Sequence, residues 1–234
     1  MTIDTGPHTP PLPARNTPGP GINPGTGPCA DPRVGPGAAL AAEPGPGSRA
    51  DAAAPDGGLA AGLRLRLLGE LGLTGAEGRW DAFAADLARA FAGQLHAAAA
   101  VPYAMVNVIT DRQHFVGLHI PQGQEPVERT MSTQDGFCPE VAARGLGLVL
   151  PDVCAYPRFA ANAVVDGLGI RTYAGAPLVH PATGIVLGTV CVVGTTPLPL
   201  STGTASLELL KARSTALMDL IDQAADPFPD RDGC

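Results

Sequence analysis

Two stretches of this chain leave little freedom in how they can fold. Residues 103–110, "YAMVNVIT", run into "DRQ" and then into "HFVGLHI" at 114–120. Residues 170–180, "IRTYAGAPLVH", run through "PATG" into "GIVLGTVCVVG", which begins at that turn's glycine and ends at Gly194. In both, β-branched and aromatic residues flank a turn of three or four residues. A linker that short cannot carry a parallel crossover, so each pair must be an antiparallel hairpin. The sheet that contains both is therefore largely antiparallel.

The remaining elements are placed around those hairpins. Phe83, Leu87, Phe91 and Leu95 recur every four residues and predict a helix over about 79–99. Asp81 stands near its start, where a negative charge suits the helix dipole, and Pro102 closes it. His96, near its end, reads as a solvated side chain. "DGFCPEVAARG" predicts a short helix with Asp135 or Gly136 near the N-cap, Pro139 in the first turn and Gly145 past the end. "LGLVL" is a short strand, "PDVCAYPRF" a loop and "AANAVVDGLG" a short helix or turn. A last helix starts near Ser201 or Thr202. Its Leu207, Leu210, Ser214, Leu217 and Ile221 form a heptad-like stripe, either the inner face of a packed helix or the seam of a dimer. The order is helix, strand, strand, helix, strand, helix, strand, strand, helix. The fold class is α+β, a central antiparallel sheet with the terminal helices on one face and a helix–loop cap over the other.

The first 60 residues do not join that core. They hold 13 Pro and 11 Gly and almost no large apolar side chain. Such a segment buries too little surface to offset the entropy of ordering it. The expected organisation is a disordered tail over 1–62, a short linker or helix over 63–78, a domain over 79–224 and a flexible end over 225–234. Cys29 in the tail is expected to be an exposed free thiol. Five cysteines at irregular spacing, without a CxxC, point to reduced thiols in the cytoplasm and away from a structural zinc site. His114 and His119, five apart on a strand, face opposite ways and make a poor ligand pair. The net charge of −7 and a single lysine, Lys211, leave no basic footprint for nucleic acid or an anionic membrane. The start lacks the pattern of a secretory signal. No run approaches the length of a membrane span.

Four pieces, in order, resemble a known family: "DGFCPEV" (135–141), "LVLPDVCAYPRFAANAVV" (148–165), "IRTYAGAPLV" (170–179) and "GIVLGTVCVV" (184–193). Together they are similar to bacterial GAF domains, a sensory fold related to PAS, over about residues 80–224. One departure stands out: Gly194 takes the place of an acidic residue that the family often has after the last strand. The resemblance implies a pocket between the sheet and its cap, with 136–171 as the capping segment. Phe137, Tyr156 and Phe159 are then candidate apolar walls, and Cys138 and Cys154 small apolar fillers or tuning groups. Tyr173 is a core residue with its hydroxyl at the rim. Asp152 and Arg171 are either the polar groups that orient a ligand or a structural pair with each other.

Three readings of function follow from the resemblance. The first is a sensory or regulatory module in cytoplasmic signal transduction, without catalytic output of its own. It would bind an unidentified small molecule, dimerise through its terminal helices and act through a separate output protein, since no output domain follows. The second is a thiol enzyme similar to free methionine sulfoxide reductases, in which Cys138 or Cys154 reacts. The stretch "RFAANAVV" lacks the cysteine such enzymes carry there, and only Arg158 lies near Cys154. The third is a ligand-free dimerisation or docking platform. The lysine motif of cyclic-nucleotide GAF domains and the cysteine–histidine or "DIP" run of bilin-binding ones are absent. Haem at His180 has only the residue type in its favour. The ligand is left unknown.

Overall fold

The computed structural model describes residue 29 and residues 56–94, 102–124 and 126–225. Six strands form one sheet: β1 (Tyr103–Ile109), β2 (Arg112–His119), β3 (Thr130–Ser132), β4 (Leu148–Leu150), β5 (Thr172–Val179) and β6 (Val186–Gly194). The order is β3-β2-β1-β6-β5-β4, and every neighbouring pair is antiparallel. Both expected hairpins form, and β1 pairs with β6 to join them at the centre.

The central strands are apolar on both faces, which is the pattern of a sheet covered on both sides. One face presents Ala104, Val106, Val108, Ala174, Ala176, Val190 and Val192. Three helices pack on it: α1 (Asp56–Glu70), α2 (Asp81–Gln94) and α6 (Gly203–Ala225). Leu67, Leu68, Leu87, Phe91, Leu210, Leu217 and Ile221 are their buried contributions. The stripe on α6 is thus the inner face of a packed helix, with Ser214 Oγ donating to Pro177 O at 2.6 Å. Arg213 ties α6 to Asp86 of α2 at 2.6 Å.

Polar contacts fix α2 against the sheet. Asp81 accepts from the Leu118 amide at 2.8 Å and holds both guanidinium nitrogens of Arg129, at 3.0 and 2.7 Å. Gly117 permits the close approach of the helix start, since a Cβ there would stand 2.6 Å from the Trp80 carbonyl oxygen.

The opposite face presents Tyr103, Met105, Ile109, Phe115, Tyr173 and Cys191. A cap covers it: α3 (Cys138–Arg144), α4 (Pro157–Ala160) and α5 (Ala163–Leu168). Gly145, at φ 62°, ends α3 in the left-handed conformation that favours glycine, as its position suggested.

The structure differs from the expectations in three places, and one expectation lies partly outside the described residues. The first helix begins at Asp56, inside the segment read as tail, because Leu63, Leu67 and Leu68 find a partner surface on the sheet. Strand β3 was not foreseen: three residues with half-buried side chains carry no periodic signal. The helix over 79–99 is described from Asp81 to Gln94, and Leu95 and His96 lie outside the described residues. Cys29 is exposed but not free: it forms a disulfide with Cys154, 125 residues away. That bond corrects the expectation of uniformly reduced, unassigned thiols, because cysteines far apart in sequence meet only through the fold. Among the described residues, no helix is long and apolar enough to cross a membrane.

Candidate functional site

The site is built where the cap crosses the second face of the sheet. Asn162, the N-cap of α5, accepts from the Val164 amide at 3.2 Å. The same side chain clamps Gly136, accepting its N–H at 3.0 Å and donating to its carbonyl at 2.9 Å. Gln113 donates to the carbonyls of Ser132 and Asp135 at 2.6 and 2.8 Å and accepts from Asn107 at 2.9 Å. Together these two amides set the start of α3 over the sheet. Gly136 itself has φ 74°, which turns the chain into Phe137 and Cys138.

Phe137 is buried and stacks at a tilt on Tyr173, centroids 5.0 Å apart, with its edge toward Phe159 at 5.9 Å. Cys138 lies deeper. Its Sγ is 3.4 Å from Cys191 Sγ, and the Tyr173 hydroxyl donates to it at 3.6 Å. Gly175 makes that last contact possible: the Tyr173 ring lies over it, and a Cβ there would overlap the hydroxyl. Next to the Met105–Cys191 pair in the β1–β6 register stands the pair Asn107–Thr189. Their buried Oδ1 and Oγ1 atoms have no hydrogen-bonding partner.

These surroundings separate the two thiols. The hydrogen bond from Cys191 lowers the Cys138 pKa to about 6, against the opposing effect of burial and with help from the Tyr173 hydroxyl. Cys191 moves the other way, because Cys138 takes its hydrogen bond and burial disfavours a second charge. Burial, and then the neighbouring thiols, keep the Tyr173 hydroxyl protonated and able to donate.

A cavity of about 40 Å³ adjoins the thiol pair, lined among others by Met105, Met131, Phe137, Cys138, Tyr173 and Cys191. Met105, Leu168, Ile170 and Val193 are shared with a second cavity of about 170 Å³, which reaches Tyr103, Gln124 and Val127. Tyr103, Gln124 and Val193 also line an outer cleft of about 270 Å³, which extends to Gln122, Thr172, Gly194 and Thr196. The three form a series that is apolar at the inner end and bordered by amides and hydroxyls outside. None of the described residues that line the two outer ones is charged.

The residues expected from the sequence fall into two groups. Phe137, Cys138 and Tyr173 line the inner cavity. Tyr156 and Phe159 pack at the edge of the same core without lining it. Asp152 and Arg171 face each other in a two-pronged ion pair at 3.1 and 3.0 Å, and Asp152 also caps the Cys154 amide at 3.1 Å. Neither lines the cavity series. Cys154 is bonded to Cys29. Sequence reasoning missed Met105, Met131, Cys191 and Asn162. The first three sit in strands, where only register shows which side chains meet. Asn162 carried a usable signal, an Asn just before an apolar helical run.

The family model of the GAF domain matches residues 84–218. No match is found among the curated proteins. Several solved structures are similar. A putative GAF sensor protein from Burkholderia vietnamiensis is 17% identical, over 74% of this chain and 100% of that one, with a TM-score of 0.44. The free methionine-R-sulfoxide reductase from Neisseria meningitidis, in complex with its substrate, is 17% identical, over 70% and 93%, with a TM-score of 0.43. The A. aeolicus nlh2 GAF domain in an inactive state is 13% identical, over 72% and 99%, with a TM-score of 0.45.

Proposed function

The chain belongs to the GAF-domain family, and from that premise we propose that it is a regulatory or sensory module whose ligand is an uncharged small molecule held between sheet and cap. The observation that carries this is the cavity series itself. It is a concave, mostly apolar cleft with a few polar groups at its outer end, which is the usual character of a small-molecule site. An uncharged ligand follows from the absence of charged side chains among the described residues that line the two outer cavities, since an ion moved there would lose its hydration without a partner. Apolar parts of the ligand would face Met105 and Ile170, and polar parts Gln122, Gln124 and Thr196. Binding would shift the cap, and with it the α3 and α5 segments clamped by Asn162. The change would reach an output protein, with a second copy of the chain engaged through the outer faces of α1 and α6.

The enzymatic reading finds less in the geometry. Cys138 and Cys154 belong to separate pairs, one with Cys191 and one with Cys29. An amino-acid sulfoxide would also need charged partners for its ammonium and carboxylate groups, and the described lining of the two outer cavities has none.

The test is a thermal-shift screen of neutral metabolites. A compound that binds the folded state must raise the melting temperature. Leu168 lines both inner cavities and is 44% exposed. Leu168→Trp should therefore fill the cleft while leaving the core intact, and abolish the shift. A shift that persists in Leu168→Trp places the ligand elsewhere.

A further inference from the structure

Four of the chain's sulfur side chains converge on one small space. Cys138 and Cys191 are in contact at 3.4 Å. Met105 is the direct register partner of Cys191 across β1 and β6, so their side chains stand side by side on the same face. Met131 lines the same cavity, and its Sδ lies 3.5 Å from where a Cβ on Gly136 would stand. The cavity, about 40 Å³, has room for an ion or a few water-sized atoms. It is too small for a metabolite.

We propose that Cys138, Cys191, Met105 and Met131 form a binding site for a soft monovalent metal ion, Cu(I). Thiolate and thioether sulfurs are the donors that select Cu(I), whereas Mg, Ca and Mn require oxygen ligands. Among the described residues, no group of three or more His, Cys, Asp or Glu is placed to hold a metal, so zinc lacks its usual ligand set. On binding, the Cys138 and Cys191 S–H bonds each give way to a sulfur–copper bond and the two protons leave to solvent. Metal–sulfur bonds of about 2.3 Å at a tetrahedral angle set two sulfurs about 3.8 Å apart. The two thiols need only separate slightly into the cavity. The site does not depend on the sensory reading, since the organic ligand proposed above would occupy the outer cavities.

The test is an anaerobic competition with the chromophoric Cu(I) chelator bathocuproine disulfonate. The full chain carries C29S, C154S and C234S, which removes the three cysteines that do not line the cavity. The expected result is one Cu(I) withdrawn from the chelator per chain, with X-ray absorption showing sulfur as the only ligand type. C138S and C191S, added singly, should each lose the ion. Met105→Leu, which conserves volume, should keep the fold and weaken binding. Failure of the C29S/C154S/C234S chain to withdraw Cu(I), or nitrogen and oxygen ligands in its absorption spectrum, overturns the proposal whether or not the cysteine variants fold. Retention of Cu(I) by a folded C138S or C191S variant overturns it equally, as does a Cys138–Cys191 disulfide formed in place of metal binding.

Discussion

Cys138 owes its character to its neighbours, and each neighbour can be removed. Tyr173→Phe deletes the hydroxyl that donates to the Cys138 sulfur. The folded pKa of Cys138 lies below that of an unfolded thiol, about 8.5. The stabilisation it brings is therefore complete above that value and is lost as pH falls through about 6. The stability gap between wild type and Tyr173→Phe should accordingly widen from pH 6 to pH 8.5. Urea unfolding across that range measures it, and a constant gap would mean that the hydroxyl does not favour the thiolate. Gly175→Ala acts on the same contact from below. The added methyl meets the Tyr173 hydroxyl, and overpacking of this kind costs about 1–3 kcal/mol. At this scale the sequence was informative for Phe137, Cys138 and Tyr173, which lay in recognisable motifs. It was uninformative for Met105 and Cys191, which read as ordinary strand residues until register set them opposite each other.

At the scale of elements, the hairpins were legible because period-two apolar runs and short turns depend on local physics alone. β3 was not, because its pairing with β2 is decided by Gln113 and the loop that this side chain holds, not by its own three residues. The cap depends on one amide. Asn162→Ala removes two bonds to Gly136 and the cap of α5, and should cost about 1–3 kcal/mol, measurable by denaturant unfolding. It should also weaken any ligand that depends on the cap. The attachment of α2 has a pH signature. Burial pushes the Asp81 carboxyl up, but the hydrogen bond from Arg129, the Leu118 amide and the guanidinium charge outweigh it and hold it below its ordinary value. Asp81 thus stabilises the fold above the usual carboxylate range, about pH 4, and that contribution is lost as pH falls further. Asp81→Asn should flatten the acid limb of a melting-temperature profile. An unchanged limb would show that other carboxylates control it.

The whole molecule is a sheet with two different faces. On one side, long helices and aliphatic side chains make a dense support. On the other, a cap of short helices leaves two small cavities, and a third, outer cleft adjoins them at the sheet end beside Phe91. The class of fold could be read from the order of elements, and the family from four motifs. The disulfide between Cys29 and Cys154 could not, because it joins a Pro/Gly-rich segment to the cap only through the folded arrangement. Peptide mapping without reductant should recover those two cysteines in one linked fragment. The claim that joins these scales is that the cleft under the cap holds a small molecule. Native mass spectrometry of the protein purified gently from its own cells tests it most directly. The expected spectrum shows wild type carrying a noncovalent small-molecule adduct that Leu168→Trp lacks. A wild-type spectrum at the bare chain mass, or an adduct kept in full by Leu168→Trp, would contradict it.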